Sequence, residues 1–354
     1  MSSILWKSTA LAALVAAGSM SPAQAAGRVG WVWANQPNAS GQYTPPSAYS
    51  YNSTGGAITV TPIATGAYKV TFAGLHSNTG TDDVQVTAYN TTGFCTAGQW
   101  SYYHGQVNAN VNCYDAMDNP ANTQFDLLYQ ERTGIFGTGT KGIAFVYANS
   151  PTSASYTPDT AYQYNSTGGT NTIIRNSEGM YTVTIPGLAS THSDIQVTAV
   201  GLNGRTPAQC HVYSWQPDGN TGTNIQVQCQ GDQLFNLAYA EEEPFGLTTP
   251  AASPAAWAFA NGRSDKNVYD PNAQYQYNGF FTGKLTAQST GKGEYVVTVP
   301  GSPRYNSSIV LVTAVGDGST YCNVSGWTPI MVDCYAQKGF LIYNTFDVTF
   351  QTSN

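Results

Sequence analysis

Residues 49–56 read YSYNSTGG, and residues 162–169 read YQYNSTGG. An altered third copy, YQYNGFFTG, covers 275–283. This spacing of about 113 residues organises the whole chain. Upstream, Trp33-Ala34-Asn35 matches Tyr147-Ala148-Asn149 and Phe259-Ala260-Asn261. Downstream, YKVTF (68–72), YTVTI (181–185) and YVVTV (295–299) align, as do VQVTA, IQVTA and VLVTA, ending at Ala88, Ala199 and Ala314. Cys95, Cys210 and Cys322 are each followed five residues later by Trp100, Trp215 and Trp327. The runs QFDLLY, LFNLAY and TFDVTF close each copy. Three homologous units follow, at 27–132, 142–243 and 255–354. The Gly/Thr/Pro-rich segments Thr133–Gly142 and Pro244–Pro254 read as linkers between them.

Within a unit the dominant period is two. In Val84-Gln85-Val86-Thr87-Ala88 apolar and polar residues alternate, as a half-buried strand requires. Short runs rich in Val, Ile, Thr and Tyr recur between Gly, Asn and Pro signals, and no amphipathic helix is evident. Each unit should hold seven to nine strands, on the order of an Ig-like or jelly-roll domain. The predicted class is all-β: three tandem β-sandwiches, Ig-like or jelly-roll in topology. The repeated Asn-Ser-Thr-Gly-Gly reads as a turn, with glycines supplying positive φ. It also matches an N-glycosylation acceptor, although the leader is bacterial in type.

That leader combines Lys7, an apolar run from Thr9 to Ala17 and small residues at Ala23 and Ala25, the pattern of a signal peptide over 1–25. Its run is too short to span a bilayer, so the expected location is extracellular, cell-surface or periplasmic. In such a compartment six cysteines pair as disulfides, and their locality gives Cys95–Cys113, Cys210–Cys229 and Cys322–Cys334. Each closes a short loop, worth roughly 3 kcal/mol.

Only 9% of the residues are charged and the net charge is −7, which argues against nucleic acid and anionic membranes as partners. If each unit carried a catalytic site, a titratable set should recur. Instead Asp83 matches Asp194 but then Ser308, Asp126 matches Asn236 and Asp347, and Glu131 matches Glu241 but then Thr352. What all three units share is Cys, Trp, Tyr, Asn and Gly, residues of packing and turns. The four histidines show no metal-ligand spacing, and no cofactor or metal is expected. Glu241-Glu242-Glu243 reads as a solvated strand end before Pro244.

The aromatic residues are the informative class. The repeated Trp and the second Tyr of each Tyr-x-Tyr read as core. Trp31, Tyr102 and Tyr103 read as unrepeated aromatics and so as exposed ligand-binding positions. Phe280 and Phe281 interrupt the third turn, and Leu311 replaces the outward Gln85 and Gln196. These changes add apolar surface to unit 3, so Phe280 and Phe281 are candidate contacts with a ligand or a sister unit. A pseudo-threefold assembly of the units would bury them. The expected function is non-enzymatic binding, adhesion or surface structure, with polysaccharide, a cell surface or sister subunits as partner. The competing expectation is a secreted hydrolase or lyase with one site at a junction between units, using Asp194, His192 or Glu241.

Overall fold

The computed structural model describes residues 28–75, 81–131, 142–201, 206–219, 221–241, 255–280, 283–303 and 307–353. The predicted leader, nearly all of both linkers, Glu242, Glu243 and Phe281 lie outside the described residues. Unit 1 holds β1 (Arg28–Ala34), β2 (Ser50–Asn52), β3 (Ile58–Ala64), β4 (Ala67–Ala73), β5 (Asp82–Tyr89), β6 (Phe94–Tyr103), β7 (Gln106–Tyr114) and β8 (Gln124–Glu131). Unit 2 holds β9 (Ile143–Ala148), β10 (Ser155–Tyr156), β11 (Gln163–Asn165), β12 (Thr172–Ser177), β13 (Met180–Pro186), β14 (Ser193–Val200), β15 (Cys210–Pro217), β16 (Gly222–Cys229) and β17 (Leu234–Glu241). Unit 3 holds β18 (Ala255–Ala260), β19 (Gln276–Asn278), β20 (Thr286–Gly291), β21 (Glu294–Thr298), β22 (Ser308–Val315), β23 (Thr320–Trp327), β24 (Ile330–Ala336) and β25 (Thr345–Thr352).

In unit 1 one layer runs β2-β1-β8-β5 and the other β6-β7-β4-β3, and units 2 and 3 repeat the plan. The layers face each other across an apolar core in which Val32, Phe125, Leu127, Val84 and Val86 meet Val60, Val70, Phe72, Val107 and Val111. The repeated YxVTx strand supplies a tyrosine to each core: Tyr68 packs on Phe125, Tyr181 on Phe235 and Tyr295 on Phe346, with ring centroids 5.2, 5.3 and 5.0 Å apart. Their hydroxyls donate to rim carbonyls of Pro37, Pro151 and Arg263, which offsets the desolvation of a buried phenol. The three disulfides form as read from the sequence, each between residues directly opposite in a hairpin.

The repeated turn is an Asx turn fastened to the next strand. Asn52 Oδ1 accepts from the Thr54 amide (3.0 Å) and hydroxyl (2.7 Å), while its Nδ2 donates to the Ala73 carbonyl at 2.8 Å. Asn165 repeats this with Thr167 and Pro186, and Asn278 with Phe280 and Pro300. Gly55 has φ 72°, and a Cβ on Gly56 would lie 2.0 Å from the Ala73 carbonyl oxygen. With its amide nitrogen committed to a backbone carbonyl, the asparagine serves the turn rather than a glycan.

The units are not beads on a string. Each sheet combines one layer from each of two units: β6 pairs with β14 at Ala97 and Val200, β15 with β22 at Val212 and Val315, and β23 with β5 at Val324 and Tyr89, all parallel. Three such joins close a ring. The outer faces of the other layers then meet on a pseudo-threefold axis, where Val29, Trp31, Leu128, Phe145, Trp257 and Leu311 form a core drawn from all three units.

This closure corrects several expectations. The strand read as half-buried is buried on both faces, because Val84 and Val86 face their own sandwich while Asp83, Gln85 and Thr87 face the axis. Away from the join, the outer edge of β5 has amides with no strand partner, and threonine hydroxyls of the next unit supply the acceptor. Val86 N donates to Thr198 Oγ1 (2.9 Å), Val197 N to Thr313 Oγ1 (3.0 Å) and Val312 N to Thr87 Oγ1 (3.1 Å). A buried amide without a partner would cost about 1–3 kcal/mol, so the cyclic set explains the threonine in every copy. Gln85 and Gln196 are likewise buried and accept from Thr198 and Thr313. Leu311 takes the third place and joins the apolar core of the axis, so unit 3 does pack on its sisters there. The strand register also places Ile309, not Ser308, at the position of Asp83 and Asp194.

Candidate functional site at the unit junctions

Each hairpin carrying a disulfide has a register shift just before its tryptophan, between Ala97 and Trp100, Val212 and Ser214, and Val324 and Gly326. A bulge bends the strand and re-aims its side chains. Here the tryptophan lies at the edge of its own unit's core and also meets the next unit. Trp100 packs edge-on against Tyr147 (5.1 Å), Trp215 against Phe259 (4.9 Å) and Trp327 against Trp33 (4.8 Å, tilted). Tyr162, Tyr275 and Tyr49, from the short turns preceding β11, β19 and β2, complete the three seams at 5.5, 5.4 and 4.6 Å. The repeated Trp, read as core, does pack on its own unit's core but is half-buried there and also forms the seam.

The seams differ in what fills them. At the junction of units 3 and 1, Tyr89 packs on both Trp33 and Trp327, at 4.9 and 5.9 Å. The equivalent residue is Val200 between units 1 and 2, and Val315 between units 2 and 3. Beside Val315 and Gly316 an open groove of about 380 Å³ runs between units 2 and 3. Its walls are Tyr213, Trp215, Gln216, Phe259, Gln274 and Tyr275, and no charged side chain among the described residues lines it. Beneath it, buried His211 holds the Gly316 carbonyl through Nε2 at 3.0 Å. Burial pushes that imidazole down to about 4, so at neutral pH it is an uncharged support that donates a hydrogen bond.

Of the residues singled out from the sequence, Trp31 is fully buried, stacked on Tyr51 at 4.4 Å and donating to Ser307 Oγ at 3.1 Å. It is a core residue of the axis and not a ligand contact, because ring closure covers the outer face of β1, and it is not unrepeated, since Phe145 and Trp257 take the same place in the other units. Tyr102 is 36% exposed and its hydroxyl donates to Asp82, which also accepts from Trp100 Nε1 (3.0 Å) and Tyr129 (2.9 Å). Burial, then the Asp82 charge, raises the Tyr102 hydroxyl far above its usual range. Tyr103 is 66% exposed and touches His104 edge-on. Phe280 packs into its own unit's core against Phe350 at 5.7 Å, not against a sister. These residues do not converge on one site, and none lines the groove. Its walls combine the repeated Trp215, Phe259 and Tyr275 with residues the repeats did not mark. Tyr213, Gln216 and Gln274 are unrepeated polar or aromatic residues flanking repeated ones, the one signal that pointed there.

The ionisable groups cluster elsewhere. Asp83, Asp126, Asp194 and Asp347 are all buried in the axial region between units. Burial pushes Asp83 up to about 7, against hydrogen bonds from Gln130 and Gln85. It also raises Asp194 and Asp347, the latter further through the nearby Asp194 charge. Asp194 accepts from Gln196 Nε2 and from Thr349 Oγ1 of unit 3, while Asp347 accepts from the Ile195 amide at 3.0 Å. Acids from separate units thus converge inside packed structure. Glu241 accepts from the Ser190 amide (2.6 Å) and the Tyr239 hydroxyl (3.2 Å), and the His192 amide donates to Ser190 Oγ. None of Asp194, His192 and Glu241 lines the groove. Among the described residues, no group of three or more His, Cys, Asp or Glu could hold a metal ion, and no helix is long and apolar enough to cross a membrane.

Comparison of the chain with protein-family models, curated proteins and solved structures finds no match.

Proposed function

We propose that the chain is a secreted binding or adhesion protein, a single-chain pseudo-trimer that takes a neutral polysaccharide or cell-surface glycan at a junction between units. One observation carries this reading: the groove between units 2 and 3 is walled by aromatic rings and carboxamides, with no charged side chain among the described residues that line it. Aromatic faces stack on the apolar faces of sugar rings, and a low-charge surface suits a neutral polar polymer better than an ionic one. The leader-like residues 1–25 and the three disulfides support export. The test is a pull-down of the purified chain on insoluble glycans and cell envelopes, with soluble products assayed in parallel. Retention that falls at least tenfold in Trp215→Ala, without product release, is the expected result. Sugar release would instead reclassify the protein as a hydrolase or lyase.

A further inference from the structure

Resting on that binding reading, we infer that the groove between units 2 and 3 is a single site for an uncharged hexopyranose residue, stacked on Trp215 and read by the carboxamides of Gln216 and Gln274. The three junctions provide an internal comparison. Where this one has Gln274, the others have Ala161 and Ala48, the residues preceding Tyr162 and Tyr49. Where it has Gln216, the others have Ser101 and Thr328, each following the seam tryptophan. Where it has Val315, the junction of units 3 and 1 is plugged by Tyr89. The repeated residues build the seam, and the unrepeated ones turn one copy of it into a polar-walled groove.

The chemistry of the wall selects the ligand. Neither the Gln216 nor the Gln274 side chain has a hydrogen-bond partner among the described residues, and both border the groove. A carboxamide offers donors and an acceptor side by side, which sugar hydroxyls match because each hydroxyl can do both. A uronate or phosphate would find no counter-charge among the described residues lining the groove, and Arg263, which lies beside Gly316, is already paired with Asp317 at 3.5 Å. A proline-rich peptide also seeks aromatic grooves, but it brings mainly carbonyl acceptors and would leave the carboxamide oxygens unmet. The volume of about 380 Å³ is at the scale of a small-ligand site and holds a short stretch of polymer.

Calorimetric titration of the full chain with neutral hexose oligomers, a uronate oligomer and a proline-rich peptide tests this. The expected result is one site per chain, neutral oligomers bound in preference, and little change in affinity as salt is raised. Gln216→Ala with Gln274→Ala should weaken binding by about 100-fold, about tenfold for each lost hydrogen bond. Both side chains are at the surface, so an unchanged near-UV spectrum shows that the double variant folds. Trp100→Phe, at the equivalent place between units 1 and 2, should leave affinity unchanged. Preference for the uronate or the peptide, more than one site, or glycan binding indifferent to the glutamine pair would overturn this inference while leaving the general binding reading intact. Absence of binding to any glycan would overturn both.

Discussion

The axis and the seams are both contacts between the same three units, yet they invert the usual link between polarity and burial. At the axis, Asp83, Gln85 and Thr87 of unit 1, Asp194, Gln196 and Thr198 of unit 2 and Thr313 of unit 3 are polar and buried. At the seam between units 2 and 3, Trp215, Phe259 and Tyr275 are aromatic and border an open groove. The axis can be polar because each edge amide finds a threonine of the next unit. The seam can stay open because ring closure rests on the sheet joins and the axial core. One region assembles the molecule, and the other is free to serve a ligand.

If this division holds, truncation at the two places should separate stability from binding. Trp257→Ala removes a fully buried indole from the axial core, for an expected loss of about 3–5 kcal/mol in denaturant unfolding, the largest effect anticipated. Trp215→Ala should cost much less stability while abolishing retention on glycan. Equal destabilisation by both would erase the distinction.

Thr313→Val preserves shape at the axis but strands the Val197 amide, for an expected loss of about 1–3 kcal/mol by the same measurement. No loss would mean that the cyclic hydrogen bonds add nothing to closure.

The axial acids give a pH signature for which the described residues lining the groove have no counterpart. Their folded pKa values lie above the unfolded carboxylate range, so the folded state binds protons more tightly than the unfolded one. Their contribution is full below about pH 4 and is lost as pH rises toward the value of about 7 held by Asp83. The half-buried Arg175–Asp232 pair, which pulls Asp232 down to about 2, works in the opposite sense and only below that window. Thermal midpoints should therefore fall between pH 5 and 8, and Asp194→Asn should flatten the slope. Glycan affinity should stay level over the same range. The smallest effect is expected from Tyr103→Ser, within about 0.5 kcal/mol and without change in binding, since this ring is exposed away from the groove.

The units, their disulfides and their strand pattern were legible because each is set within one copy: cysteine locality, period-two alternation and the Asx turn are local signals. Closure of the ring was not. The alternation of Val84-Gln85-Val86-Thr87 is the same whether Gln85 meets water or a sister unit, so the axis reads as a solvated face. Trp31 misleads for the same reason, since its exposure is decided by residues more than 200 positions away, such as Ser307. The groove was half legible: the Cys-x4-Trp spacing marks the seam, but a bulge decides which way Trp215 points. Sequence periodicity reports the faces of a strand and is silent on what covers them.

Closure of the ring through the axial threonines is tested most directly by hydrogen exchange at the amides of Val86, Val197 and Val312. If the units close as described, these three exchange as slowly as the amides of the sandwich cores, although each lies on a strand edge. Exchange at the rate of open edge amides would contradict the account, because the units would then be independent and no groove would exist between them.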